Sequence, residues 1–142
     1  MREKKSIVRD QDGWTFMETL IVIAIVMVLS ASVGFVAAGS LDKARKASAQ
    51  VQMEAFGTAL EAFYIDMGRY PTTEEGLSSL RKRPEGAGGW AGPYIFKDVP
   101  KDPWGHDYVY LCPGEGENPF CIKSLGADGQ DGGDGKNEDV VF

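Results

Sequence analysis

Apolar residues run almost unbroken from Leu20 to Ala38, interrupted only by Ser30 and Ser32. About 19 residues is the length a helix needs to cross a bilayer. In lipid such a run must be helical, because its backbone has no water to bond. Past Gly39 the pattern becomes periodic. Leu41, Ala44, Ala47, Val51, Ala55, Ala59, Ala62 and Phe63 recur mostly at three- and four-residue spacings, with Lys43, Lys46, Gln50, Glu54 and Glu61 between them. That is one apolar face of an amphipathic helix. No proline occurs until Pro71, so the pattern predicts one helix from about Thr15 to about Met67, roughly 80 Å at 1.5 Å per residue. Gly68 and Pro71 end it.

Further on the periods shorten. Thr72 and Glu75 form a capping-box pair ahead of a short helix over about Thr73 to Lys82, closed by Pro84. After the glycine-rich stretch EGAGGWAGP, the runs YIF (94–96), DYVYL (107–111) and FCIKSL (120–125) are β-prone and separated by turn residues. They predict a small antiparallel sheet packed on the amphipathic half of the long helix, an α+β fold. The closing stretch, from Gly126 onward, is rich in glycine and acid.

Composition narrows the chemistry. The chain has 142 residues, a net charge of −6, one histidine (His106) and two cysteines (Cys112 and Cys121). An acidic body without a basic patch argues against nucleic acid as a partner. One histidine and two cysteines exclude a zinc site rich in these ligands and leave little for histidine-based catalysis. A secretory signal peptide is disfavoured, because the apolar run is too long and Glu18 would be an odd occupant. Basic residues lie on both sides of the run, Arg2, Lys4, Lys5 and Arg9 before it and Lys43, Arg45 and Lys46 after it, so charge alone does not orient it.

The carboxylate of Glu18 next to a lipid-length run is the anomaly. At a helix centre in lipid it would cost about 2.5–3.5 kcal/mol on insertion scales. Two readings stand: a side chain at the headgroup level in water, or a carboxylate compensated by a partner cation. The small residues Ala24, Ser30, Ala31, Ser32, Gly34, Ala37, Ala38 and Gly39 would let another helix approach closely, and they would equally suit an ordinary anchor. In the acidic loop, Asp128, Asp131, Asp134, Glu138 and Asp139 are oxygen donors of the kind calcium takes. The spacing is not that of an EF-hand, and it only half fits a calcium β-roll repeat. Calcium and a merely solvated loop both remain open on these residues. Trp90, Tyr94, Trp104, Tyr108 and Tyr110 read as core and loop packing, and His106 as a turn or surface residue.

The Gly13–Trp14 junction, Glu18 five residues after Gly13, and the apolar helix resemble the N-terminus of a type IV prepilin. GRYPTTEEGLSSL (68–80), KDPWGHDYVY (101–110) and SLGADGQDGG (124–133), in this order, resemble the major pseudopilins of the type II secretion system, the general secretion pathway protein G family. The resemblance covers nearly the whole chain and implies a type IV pilin-like fold. It implies a leader over 1–13, a transmembrane and filament-core helix over 14–40, and a periplasmic domain over 41–142. Within that domain, 41–67 would be the amphipathic half-helix and 124–142 a calcium loop. A prepilin peptidase would cut after Gly13 on the cytoplasmic side, and the new amine of Trp14 would be methylated. The chain would then sit as a single-pass protein of the inner membrane.

The resemblance also assigns roles. Glu18 would face the N-terminal amine of a neighbouring copy and set the axial step between subunits. Calcium would be held by the Leu125 carbonyl, Asp128, Glu138 and Asp139, with the Ala127 carbonyl a weaker candidate. Partners would be copies of the same chain, minor pseudopilins, the inner-membrane platform and the outer-membrane channel, in a filament that moves folded proteins outward. No active site of its own is implied. In an oxidising periplasm Cys112 and Cys121, bracketing a turn between strands, are expected to form a disulfide, at about 2.7 kcal/mol for a loop of that size. Three other functions compete: a type IV pilin for adhesion, motility or DNA uptake; a membrane-anchored calcium-dependent binding module; and a membrane-anchored metalloenzyme.

Overall fold

The computed structural model describes residues 16–142, apart from the side chains of 33–38. Helix α1 spans Phe16–Met67. The chain divides into two units, one ending at Gly39 and the other running Ser40–Phe142, and α1 contributes to both. In the first unit the apolar side chains are open: Phe16 is 77% exposed and Met27 67%. Among the described residues no helix is long and apolar enough to cross a membrane. The apolar run of the sequence continues into 33–38, whose side chains lie outside that description.

The second unit is built on the later part of α1. Met53, Phe56, Leu60 and Phe63 recur at three- and four-residue steps and are buried. They join Leu77, Leu80, Tyr108, Tyr110 and Ile122 in one core cluster. This corrects the expected face. Leu41, Ala44, Ala47, Val51 and Ala55 are exposed, and only Ala59 and Phe63 of that set are buried. Two apolar stripes were available on this helix. The one with bulky side chains removes more area from water, at about 25 cal/mol per Å², and took the core. The helix stops at Gly68, which adopts φ 69° and donates its N–H to the Tyr64 carbonyl at 2.7 Å. A glycine just past the helix end tolerates that left-handed conformation.

The capping pair forms. Thr72 N–H donates to Glu75 Oε2 at 2.8 Å and Glu75 N–H to Thr72 Oγ1 at 3.2 Å. Arg69 clasps the same carboxylate with two nitrogens, at 2.7 and 2.8 Å. The expected α-helix over 73–82 does not follow. Gly76 swings to φ 58°, and only a 3₁₀ helix over Leu77–Leu80 remains. Glu75 has its pKa lowered, chiefly by the hydrogen bond from Arg69. A carboxylate with a depressed folded pKa stabilises above its unfolded value, near 4.5, and loses that contribution as pH falls through the folded value. Acid unfolding of the wild type should therefore steepen below about pH 4.5, and Glu75→Gln should flatten that limb, as followed by circular dichroism.

Three strands form an antiparallel sheet in the order β1 (Val109–Leu111), β2 (Cys121–Ser124), β3 (Val140–Val141). Val109 faces Lys123 and Leu111 faces Cys121, and on the other side Lys123 faces Val141. The YIF segment is not a strand. Adjacent Tyr94 and Ile95 both pack against the core cluster, which breaks the alternation a strand requires, and Phe96 is left fully exposed. The third strand comes instead from the chain's last residues. Ile122 and Phe142 exchange both backbone hydrogen bonds, at 3.1 and 2.9 Å. The Phe142 ring lies so close to Gly57 that a Cβ there would sit 2.5 Å from it.

Candidate assembly helix and acidic loop

Gly13 and Trp14 lie outside the described residues. Glu18 lies in the first turn of α1 and is exposed, where a carboxylate also suits the positive end of the helix dipole. Around it and after it comes the open apolar surface from Phe16 to Leu29. A contiguous apolar surface of this extent on a folded chain marks contact with another molecule or with lipid.

The acidic loop is fastened from below by the KDPWGHDY segment. The Asp102 carboxylate is buried and accepts from Ser124 Oγ at 2.6 Å, His106 N–H at 2.8 Å and Trp104 N–H at 3.0 Å. This is an Asx-type turn whose second oxygen reaches the end of β2. His106 closes this turn, as expected, and is half-buried: its backbone N–H and carbonyl both bond Asp102, its Nδ1 lies 3.1 Å from the Gly126 carbonyl, and its ring backs Gly129. Gly126 and Gly133 have positive φ and press against the main chain at Asn137, with an added Cβ only 2.9 and 2.5 Å from that carbonyl oxygen. The loop is thus closed on itself by its glycines.

Within this frame the expected cation ligands separate. Asp139 turns inward: Oδ2 accepts from Gly132 N–H at 2.9 Å, while Oδ1 is buried with no hydrogen-bond partner among the described residues. A buried carboxylate oxygen left unmatched is costly unless a cation answers it. Asp128 accepts from Gln130 N–H at 3.1 Å, and the Leu125 carbonyl accepts from Gly129 N–H at 3.2 Å. Glu138 points elsewhere. Its Oε2 takes Lys46 Nζ of α1 at 2.8 Å, and that ammonium holds its pKa below the usual carboxylate value. Asp131, 78% exposed, pairs with Lys123 at 3.2 Å. Among the described residues no three His, Cys, Asp or Glu side chains converge as a metal cluster. Asp139 Oδ1 is thus the buried loop oxygen left open to a hard cation, while Glu138 has one of its two oxygens taken by Lys46.

The expected disulfide is absent. Both cysteines are free thiols. Cys121 is paired across the sheet with Leu111, not Cys112. Cys112 is one residue further along, and successive side chains leave a strand on opposite faces. Its Sγ lies 3.4 Å from the Pro119 carbonyl instead. Sequence reasoning missed Lys46, Lys123, Asp102 and Ser124. Only Asp102 carried a signal, as an acid directly before Pro103 in a turn. Lys46 and Lys123 have no local motif, because their partners lie in other segments.

Comparison with known proteins follows the same outline. The protein family described as type II secretion system, protein G, matches residues 37–142. The chain is 36% identical over 135 residues to the type II secretion system core protein G of Pseudomonas aeruginosa, covering 93% of this chain and 94% of that one. It is 38% identical over 135 residues to the protein of the same name from Vibrio cholerae, covering 93% and 91%. Among solved structures it resembles the major pseudopilin from the type 2 secretion system of enterohaemorrhagic Escherichia coli. The TM-score is 0.63 with 33% identity, over 72% of this chain and 90% of that one.

Proposed function

The chain belongs to the protein G family of the type II secretion system, and from that premise we propose how its parts serve the pseudopilus of which it is a structural subunit. The observation that carries the proposal is the open apolar face of α1 over Phe16–Leu29, joined in one helix to a domain with its own buried core. Before assembly that face lies in the inner membrane as a single span, with the Ser40–Phe142 unit in the periplasm. In the filament it packs on the same face of other copies. A prepilin peptidase frees the amine of Trp14, and Glu18 of one subunit pairs with that amine on its neighbour. Such a pair roughly offsets its own desolvation, so its contribution is to register more than to stability.

Growth of the filament from the inner-membrane platform pushes folded cargo toward the outer-membrane channel, with minor pseudopilins among its partners. The relatives are structural subunits, and the family match disfavours the pilin, the anchored binding module and the metalloenzyme. The test is complementation of a deletion strain. The wild-type chain should restore release of folded cargo into the medium and give cross-linked ladders at the membrane. A chain that restores release without ever giving oligomers overturns the reading.

We also propose that calcium binds the 124–142 loop through Asp139, Asp128 and the Leu125 carbonyl. When bound, the ion supplies charge that orders a glycine-rich segment with little apolar surface of its own. Saturating calcium at about 100 times Kd would add about 2.7 kcal/mol, or roughly 10–20 °C in Tm for a domain of this size. Chelator should remove that increment, and Asp139→Asn should make Tm indifferent to both. A wild-type Tm that ignores chelator removes calcium from the account.

A further inference from the structure

We infer that the acidic loop of this chain carries a built-in cation: the Lys46 ammonium takes the Glu138 carboxylate for itself and docks the loop on helix α1 with or without a metal. The inference rests on the reading of 124–142 as the cation loop and changes which residues are free to serve it. Lys46 Nζ donates to the Gly135 carbonyl at 2.5 Å and to Glu138 Oε2 at 2.8 Å. Two of its three protons are thereby committed to the short 3₁₀ turn Gly135–Asn137 and the residue after it. The Lys46 side chain is only 26% exposed. It lies one helical turn before Ala49, the first buried residue of the domain's helix face.

A second lysine answers the other arm of the loop. Lys123, on β2 and 14% exposed, donates to Asp131 at 3.2 Å and to Glu115 at 3.0 Å. The loop's carboxylates therefore divide. Glu138 and Asp131 are neutralised by ammonium groups from the helix and the sheet, while Asp139 keeps a buried oxygen for an external cation. An isolated exposed ion pair would contribute little. Here one ammonium holds a carbonyl and a carboxylate at once, and hydrogen bonds from charged groups are the stronger class.

Amide hydrogen exchange of the full chain in detergent, in excess chelator, tests the dock. Gly132 N–H, bonded to Asp139, and Asn137 N–H, bonded to the Asp134 carbonyl, report on the loop. Ile122 N–H reports on the sheet. The wild-type loop should stay protected without calcium. Lys46→Met should speed exchange at Gly132 and Asn137 by about tenfold and leave Ile122 unchanged. The charge swap Lys46→Glu with Glu138→Lys should recover at least about threefold of that loss. Equal exchange in wild type and Lys46→Met, or a wild-type loop unprotected until calcium is added, overturns the inference. Should Lys46→Met also expose Ile122, Glu138→Gln, which touches no core, should still speed the loop about threefold, and unchanged exchange there is equally fatal. A wild-type loop indifferent to calcium, together with the tenfold effect of Lys46→Met, upholds the lysine dock while removing the metal.

Discussion

Glu18→Ala is expected to abolish filament assembly and to lower release of cargo by at least about tenfold, with the amount of protein in the membrane unchanged or raised. The sign follows from the two halves of the transfer. Removing a carboxylate makes insertion into lipid easier, by about 2.5–3.5 kcal/mol at a helix centre and by less in the first turn, where Glu18 sits. It also removes the group against which a neighbour's amine would find its axial position. Membrane insertion and assembly should thus move in opposite directions, a split that general misfolding would not produce. Glu18→Gln keeps the shape and loses the charge, and it should behave like alanine in assembly. Cross-linking of intact membranes gives the readout. A normal ladder from either variant would mean that Glu18 serves only the start of the helix, where its place in the first turn of α1 already suits the dipole.

Phe63→Ala is expected to be the most damaging single change in the periplasmic unit. Phe63 is fully buried. Its ring meets Tyr94 edge-on with centroids 5.6 Å apart, and the Arg69 guanidinium lies over it at 5.9 Å. Arg69 in turn clasps Glu75, so the ring supports the cap as well as the core. Truncations of this kind cost about 3–5 kcal/mol, against a total of about 5–15 kcal/mol for a domain. The Tm should fall by at least about 12 °C. Val51→Ala, on the same helix but 65% exposed, should move it by less than about 2 °C in the isolated chain. Near-equal shifts would mean that the helix buries a different face from the one described.

Much of this architecture is legible in the amino-acid sequence. The long helix followed from a lipid-length apolar run passing into a helical period with no proline before Pro71, and its end from Gly68. The capping pair Thr72–Glu75 formed as its spacing suggested, yet the helix behind it did not, because the conformation of Gly76 turned the chain aside. Two strands out of three came from β-branched and aromatic runs. The third, Val140–Val141, is too short to carry a period and is defined only by its neighbour β2. The helix face was misjudged because alanines at the right spacing look like a core until the bulkier stripe beside them is weighed. The site divided the same way. Oxygen chemistry in a glycine-rich loop marked Asp128, Asp131, Asp134, Glu138 and Asp139 alike, and only the family resemblance singled out Asp128, Glu138 and Asp139 among them. The diversion of Glu138 to Lys46 joins residues 92 positions apart, and no local pattern encodes such a pairing.

The dependence of the helix on distant segments also sets a clock. Gln52 on α1 accepts its hydrogen bond from Tyr108, 56 residues later, and the stripe from Met53 to Phe63, met earlier by Leu77, Leu80 and Tyr94, has its cover completed only when the Tyr108–Ile122 region arrives. At synthesis rates of about 5–20 residues per second, that leaves the stripe waiting on the order of 3–11 s after it is made. During that interval a greasy, half-finished stalk has to be shielded by chaperones or by the export machinery. Slowing translation between codons 64 and 120 should therefore lower the yield of native subunit without altering a single amino acid.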